Sequence, residues 1–398
     1  MSEAAAPAIP PTPATASAHL LREPVKVEAA GVKPATPKRN PYMPWRSTLL
    51  TPQRVKELSK LRPWRVVADT LLCWAVIALA WAAVAVWGPG ASGWGAAWWV
   101  VLLAIPVIGT RYYGLFILGH DGMHRRLFES RKLNDWWTDL FMLAPIGMVN
   151  HVNDRNHLAH HRYLATDRDP DLHKHACFNK TNRSEYLAFL TGLASVIEVA
   201  KNLFWRWSHE PIEDEHEPTV ETAKDPHTMR DLLVIGAWQL GLLVGLTYVA
   251  AGLPRVASIA DVWSLIRAGW WGYPLLWLLP VYAFAYLPNL VRAFLEHAHA
   301  EDDDKADEHR LITFLSNPVE RLFMSPMNMN YHVVHHLWPS IPYYNLPRAD
   351  REIRVKPEAE GLTWRGSYAR SLLAYWFALP IEECRMSRQR KRHERSAA

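Results

Sequence analysis

Eight histidines fall into three short clusters whose spacing suits metal binding. His120 and His124 are four positions apart. Each of the other two clusters has one histidine followed, three and four positions later, by two adjacent histidines. Those two clusters are His157, His160 and His161, and His332, His335 and His336. Positions three and four apart share one face of a helix, so each cluster would present its imidazoles as a group.

The number of histidines indicates more than one metal ion. A first-row ion accepts about six ligands at most, and a catalytic ion keeps one position open, so eight imidazoles suit two ions. Imidazole binds Fe, Zn, Cu and Ni alike, and the spacing does not choose among them. The spacing is therefore compatible with two redox-active metal ions that bind oxygen and with two hydrolytic zinc ions.

Four long apolar segments must position these clusters. They comprise residues 66–87, 94–118, 232–253 and 268–291, and a bilayer needs about 20 apolar residues per helix. Asp69 lies in the first segment and Arg111 in the second, whereas the last two carry no charge. Prolines in the fourth predict kinks. We therefore expect an all-α fold, an integral-membrane bundle of four transmembrane helices with a cytoplasmic helical cap that carries the histidines.

The distribution of basic residues predicts the orientation of this bundle. The loop between the first two segments has no charge, and the loop between the last two carries only Arg255, Asp261 and Arg267. The chain before residue 66 and the chain after residue 384 are rich in Lys and Arg. The positive-inside rule then places both termini and the central loop in the cytoplasm. All three histidine clusters fall on that same side.

Composition bounds the remaining possibilities. The 398 residues carry a net charge of +5, but the basic residues do not form a recognisable nucleic-acid-binding module, so we expect no nucleic-acid partner. The 20 Trp residues suit membrane interfaces. Residues 1–45 are rich in Ala and Pro and predict a disordered arm. A membrane domain over 46–384 and a basic tail over 385–398 complete the predicted organisation.

The three clusters, in this order and with these intervals, resemble the histidine boxes of the membrane fatty acid desaturase and hydroxylase superfamily. The similarity includes residues 119–121, 157–162, 169–171 and 332–347, and residues 335–342 are most similar to bacterial acyl-lipid desaturases. The resemblance implies a centre of two Fe ions, O2 as co-substrate and a double bond introduced into a fatty acyl chain of a lipid. It also implies a separate electron donor of the ferredoxin, rubredoxin or cytochrome b5 type.

Other functions remain to be weighed against this one. A hydroxylase or ketolase of the same superfamily, acting on a carotenoid, an alkane or a sphingoid lipid, would have nearly the same histidines. A membrane metal carrier should place ionisable residues along a path at mid-membrane, whereas the last two segments contain no charged residue and no His. A structural zinc protein would fill its coordination sphere and would show no oxygen-dependent turnover.

The resemblance also implies a ninth ligand just after the fourth membrane helix. His297 is the candidate, because it stands six residues past Val291, about 9 Å along a helix. Its rivals are His151, His173, His175 and His299. Asp121, Glu296 and Asn328 are candidates to orient ligating imidazoles by hydrogen bonds. No residue other than the metal ligands is assigned a catalytic role.

Overall fold

The computed structural model describes residues 42–92, 97–164, 169–171, 183–193, 227–297 and 311–378. Residues 1–41 of the predicted arm, the basic tail, His173, His175 and His299 lie outside the described residues. The described helix α1 begins at Met43, inside the range predicted as an arm, and Tyr42 is buried beside it.

The described residues are helical for the most part. The helices are α1 (Met43–Thr48), α2 (Pro52–Leu58), α3 (Pro63–Trp87), α4 (Pro89–Ser92), α5 (Trp98–Met123), α6 (Arg131–Thr138), α7 (Asn150–Tyr163), α8 (Arg183–Leu190), α9 (Met229–Ala250), α10 (Ile259–Gly269), α11 (Pro274–His297), α12 (Pro318–Met324), α13 (His332–Leu337), α14 (Leu346–Ile353) and α15 (Tyr368–Ala378). One parallel pair of strands, β1 (Ile312–Phe314) and β2 (Thr363–Arg365), joins them, with Ile312 opposite Thr363.

Four helices in the described part of the chain are long and apolar enough to cross a membrane. They are Pro63–Ala91, Trp98–Met123, Met229–Ala250 and Pro274–His297, and they confirm the predicted all-α fold with four membrane-spanning segments. The second and fourth helices end five and six residues later than predicted. The first and ninth candidate histidines, His120 and His297, therefore lie inside the last turn of α5 and of α11 rather than after them.

The α11 helix absorbs its prolines through wider turns. Residues Pro274–Leu278 and Tyr282–Tyr286 adopt π-helical geometry. Proline lacks the N–H that an α-helical turn needs, and a π turn redistributes the remaining hydrogen bonds. The predicted irregularity in the fourth segment is thus present, as π-helical turns within one continuous helix.

Close contact between α5 and α11 aligns the two helices that carry His120 and His297. A Cβ placed on Gly109 of α5 would come within 2.5 Å of the Pro280 carbonyl oxygen and of Phe284 on α11. Aromatic rings fill the space beside this contact, with the centroids of Tyr112 and Trp277 4.7 Å apart. The absence of a side chain at Gly109 is what permits the approach.

A layer of short helices at the histidine ends of these long helices carries the third cluster. Leu49, Leu58, Val334 and Ile353 belong to one buried core that joins α1, α2, α13 and α14. The strand pair fixes where α13 begins, because the Thr313 hydroxyl of β1 accepts a hydrogen bond from the Val333 backbone N–H at 3.1 Å. Histidines far apart in sequence are thereby held in one layer.

Candidate metal centre

Nine histidines converge at one end of the helix bundle. His120 lies in the last turn of α5 and His124 is its C-terminal cap. The second cluster lies on α7, the third on α13, and His297 ends the described part of α11. The eight clustered histidines and His297 are thus brought together by four elements spread over more than two hundred positions.

Five of these histidines form a first group. Their ligand nitrogens all lie within 4.8 Å of one another, and the members are His120, His124, His157, His161 and His335. The Nε2 atoms of His124 and His157 are 2.8 Å apart, and His161 Nε2 lies 3.1 Å from both His157 Nε2 and His335 Nε2. Imidazole nitrogens so arranged around one point suit a shared cation.

The other four histidines form a second group beside it. The ligand atoms of His160, His297 and His336 lie within 4.8 Å of one another, and all three residues are buried. His332 adjoins them, with its Nε2 atom 2.9 Å from that of His297. His297, the expected ninth member, is therefore placed among the clustered histidines.

The paired histidines divide between the two groups. On α7, His157 and His161 face the first group, while His160 faces the second. On α13 the roles are exchanged: His335 faces the first group and His336 the second. Adjacent residues on an α-helix point about 100° apart at 3.6 residues per turn. Each histidine pair thus contributes one imidazole to each group, and the two groups lie side by side.

The site favours neutral imidazoles. Burial, with the neighbouring imidazoles and cations, lowers the pKa of His124, His161, His332, His335 and His336 well below the ordinary value for histidine. The neutral ring is the form that binds metal. Within the described part of the chain, the buried Nδ1 atoms of His120, His335 and His336 have no hydrogen-bond partner. An all-nitrogen donor set of nine rings fits two first-row transition metal ions and exceeds what one can accept.

Neighbouring polar residues hold the end of α5 that carries the first cluster. Asn134 of α6 donates to the Gly122 carbonyl at 2.8 Å and accepts from the Leu127 N–H at 3.1 Å. Gly122 lies so close to Thr138 that a Cβ there would overlap the Thr138 side chain. The α6 helix thus supplies the C-terminal partners that the last turn of α5 needs.

Glu296 is the predicted orienting residue that does contact a candidate ligand. Its Oε2 atom lies 3.1 Å from His332 Nδ1 and accepts a hydrogen bond from the Arg292 guanidinium at 2.7 Å. The Tyr368 hydroxyl donates to its other oxygen at 2.6 Å. The fully buried Glu296 carboxylate is thus held by one guanidinium and one hydroxyl, and its Oε2 atom also faces the His332 ring.

Asp121 and Asn328 serve a different contact. Asp121 accepts a hydrogen bond from the Tyr343 backbone N–H at 2.8 Å, and Asn328 donates to the Tyr343 carbonyl at 3.3 Å. The Tyr343 hydroxyl in turn donates to Asp69 of α3. Both residues therefore fix the backbone near α14, and neither makes a hydrogen bond to an imidazole in the described structure.

Sequence reasoning assigned no role to three residues around the histidines. Asp169 lies 2.8 Å from His160 Nδ1, at hydrogen-bonding distance, although the sequence pointed to it only through the family resemblance. Arg292 stands one helical turn before Glu296, a spacing that could have suggested the ion pair. Tyr368 carried no local signal, because its contact with Glu296 spans 72 positions. Of the rivals to His297, His151 lies near Asp231, 3.4 Å away, and in neither group.

The fold and the site together define a membrane protein with a buried centre of histidines that could hold two metal ions. The model of one protein family, described as fatty acid desaturase, matches residues 96–368. That match spans more than half of the chain, and the chain belongs to the fatty acid desaturase family. It is accordingly a membrane oxidoreductase of the desaturase type.

Individual relatives are distant and span two chemistries. An sn-1 oleoyl-lipid 12-desaturase from Anabaena variabilis is 22% identical over 65% of this chain and 70% of its own length. An sn-1 acyl-lipid omega-3 desaturase (ferredoxin) from a Nostoc species is 25% identical over 62% of this chain and 65% of its own. A beta-carotene ketolase from a Paracoccus species is 23% identical over 63% and 83%.

Proposed function

We propose that this protein introduces a double bond into a fatty acyl chain of a membrane lipid, in a reaction that uses O2 and a centre of two iron ions. The observation that carries the proposal is the convergence of nine buried or half-buried imidazoles in two adjoining groups. Membership of the fatty acid desaturase family and the likeness to acyl-lipid desaturases support the reaction type.

Each metal position has its own set of histidines. His120, His124, His157, His161 and His335 would hold one iron, and His160, His297, His332 and His336 the other. Bound iron would supply the redox chemistry that couples O2 to removal of hydrogen from an unactivated C–H bond. Imidazole ligands suit iron, and the lowered pKa values keep the rings in the binding form.

The protein's own residues prepare the site for that chemistry. Asp169 fixes the tautomer and orientation of His160 by its hydrogen-bonding contact with Nδ1, and the Glu296 carboxylate lies 3.1 Å from His332 Nδ1, where its charge can position that ring. Such partners make a ring a better and more rigid ligand. The buried core around α13 keeps bulk water from the site, which protects a reactive oxidant from side reactions.

We place the histidine centre and both termini in the cytoplasm. The asymmetry of basic residues supports this orientation, because Arg54, Lys56, Lys60 and Arg62 precede the first membrane helix and Arg65 lies in its first turn. The electrons then come from a separate donor of the ferredoxin, rubredoxin or cytochrome b5 type. The Nostoc relative carries ferredoxin in its name, which supports a donor of the first kind.

A second candidate function is hydroxylation or ketolation of a carotenoid, alkane or sphingoid lipid. The likeness to a beta-carotene ketolase is the observation that favours it. The same ligand arrangement serves both reactions, because the fate of the carbon after the first hydrogen is removed decides between a double bond and a C–O bond.

Product analysis separates the two. A bacterial host that makes both phospholipids and carotenoids is grown with the gene, without it, and with the His161→Ala variant. We expect new unsaturated acyl chains only with the unaltered gene. Oxygenated carotenoids with an unchanged acyl profile would instead assign the protein to the second function.

A further inference from the structure

A cavity of about 300 Å³ lies between α3, α5 and α12, and none of the described residues that line it is a histidine. Its walls include Cys73 of α3, Arg111 and Gly114 of α5, Arg321 of α12, and the turn at Met327 and Asn328. Gly114 keeps the space open, because a Cβ there would lie 3.1 Å from the Met327 side chain and 3.5 Å from the Cys73 sulfur. The cavity is separate from both groups of histidines.

Two arginines give this cavity its charge. Arg111 and Arg321 both line it and are both half-buried. In the described part of the chain neither guanidinium pairs with a carboxylate, and the residues that line the cavity include no acidic side chain. By contrast, Arg292 of α11 is paired with Glu296 at 2.7 Å.

An unpaired arginine within a membrane helix is costly unless it meets an anion. Arg111 lies inside a membrane-spanning helix, where an ionisable residue is rare and normally marks a substrate or ion site. A guanidinium presents parallel N–H donors that match the oxygens of a phosphate or carboxylate. Two arginines that line one cavity therefore suit an oxyanion.

The position of the cavity connects it to the reaction. Arg111 precedes His120 by nine residues on the same helix, which corresponds to about 13 Å along the axis. Asn328, which also lines the cavity, precedes His332 by four residues. A lipid whose head group lies in the cavity would thus have its acyl chains within reach of the histidine centre, with the head group itself held away from it.

We propose that this cavity binds the anionic head group of the lipid substrate and that the enzyme prefers acyl lipids with a phosphate over uncharged ones. This proposal rests on the proposed acyl-lipid desaturation, which makes the bound lipid a substrate. The preference for a negative charge rests on Arg111 and Arg321. The carbon that is attacked then lies along the chain, at a distance from the head group that the spacing between cavity and histidines sets.

Lipid binding tests the proposal without requiring turnover. The purified full chain in a nonionic detergent is titrated with dioleoylphosphatidylglycerol, or with monogalactosyl-dioleoylglycerol, which has the same acyl chains and no charge. Native mass spectrometry reads the bound lipid. We expect the wild type to prefer the charged lipid about tenfold, the effect of one charge-assisted hydrogen bond, and Arg111→Gln and Arg321→Gln each to remove most of that preference.

Controls make the result specific. Arg370→Gln removes an exposed arginine from the neighbouring α15 and should keep the wild-type preference. Arg321 lies outside the membrane helices, so its variant stays informative if Arg111→Gln does not fold. Equal binding of the two lipids by the wild type, or an unchanged preference in both variants, would overturn the proposal. So would displacement of the charged lipid by equimolar inorganic phosphate, which would mark a free-anion site.

Turnover of the same two lipids is measured in parallel and keeps the two proposals apart. An active wild type without the lipid preference would reject the cavity proposal and leave desaturation standing. A wild type that keeps the preference but desaturates neither lipid would support the lipid site and count against the proposed reaction.

Discussion

At the residue scale, the feature that organises the site is the pair of adjacent histidines. His160 and His161 diverge into different groups, and His335 and His336 do the same. A single substitution within a pair therefore removes a ligand from one group only. The two groups still share α7 and α13, so they are rigidly coupled through the backbone.

His297 provides the sharpest test of the ninth ligand. We expect His297→Ala to lose iron and activity, because the second group then keeps only three imidazoles. His151→Ala is the matched control: His151 lies on α7 like the second cluster but pairs with Asp231 outside both groups. Iron analysis and turnover of both purified variants give the answer. Full iron content in His297→Ala would remove this residue from the ligand set.

Glu296 is expected to act through His332. Glu296→Gln leaves the buried Arg292 without its anion, which typically costs about 3–5 kcal/mol, and weakens the hold on the ring. Loss of such a supporting carboxylate lowers metal affinity about 10–100-fold in other sites. The measurement is iron retention against a chelator, recorded beside thermal stability.

Two further variants separate stability from metal affinity. Glu352→Gln breaks a 2.5 Å ion pair with Arg54 that involves neither group of histidines, and should change stability alone. Tyr368→Phe removes only one hydrogen bond from Glu296 and should weaken iron retention with little unfolding. If Glu296→Gln retains iron as firmly as Glu352→Gln does, the positioning role is wrong.

At the element scale, the contact between α5 and α11 sets the spacing of the two groups. Gly109 permits this contact, and a larger side chain would push the helices apart. We expect Gly109→Leu to lower stability by about 1–3 kcal/mol, the usual cost of overpacking, and to reduce activity by shifting His120 relative to His297.

Gly236 supplies the control for this substitution. It lies on α9, where an added Cβ would meet no atom within 4 Å. Gly236→Leu should be tolerated, since leucine favours helix more than glycine does. Melting curves and turnover of both variants decide the point. Equal tolerance of leucine at the two positions would show that the α5–α11 contact is not what aligns the histidines.

Local pattern carried most of the information about these elements. Twenty-residue apolar runs predicted the membrane helices, because length and hydropathy alone meet the requirement of a bilayer. The predicted C-terminal ends of α5 and α11 fell five and six residues short of the observed ends. The last turns of these helices carry histidines and are too polar to be counted in an apolar segment. The sequence alone could not predict that His160 and His161 belong to different groups, because this depends on how α7 is oriented relative to the other helices. Long-range contacts such as Tyr368 with Glu296 had no sequence signal.

At the scale of the whole molecule, the orientation in the membrane is testable directly. In a variant without Cys73, Cys177 and Cys384, single cysteines are placed at Glu129 and at Val256, which are both exposed. The charge asymmetry predicts that a membrane-impermeant reagent added to intact cells labels Val256→Cys and not Glu129→Cys. Labelling of both sites from outside would contradict the proposed topology.

One chain should hold two iron ions between its two groups of histidines, and the proposed chemistry depends on that number. The most direct measurement is metal analysis of the purified full-length protein by mass spectrometry, with iron and zinc counted per chain. We predict two irons in the wild type, and fewer in each of His161→Ala and His336→Ala, which remove one imidazole from the first and second group. Stoichiometric zinc in place of iron, or a single metal that neither substitution removes, would contradict the proposed centre.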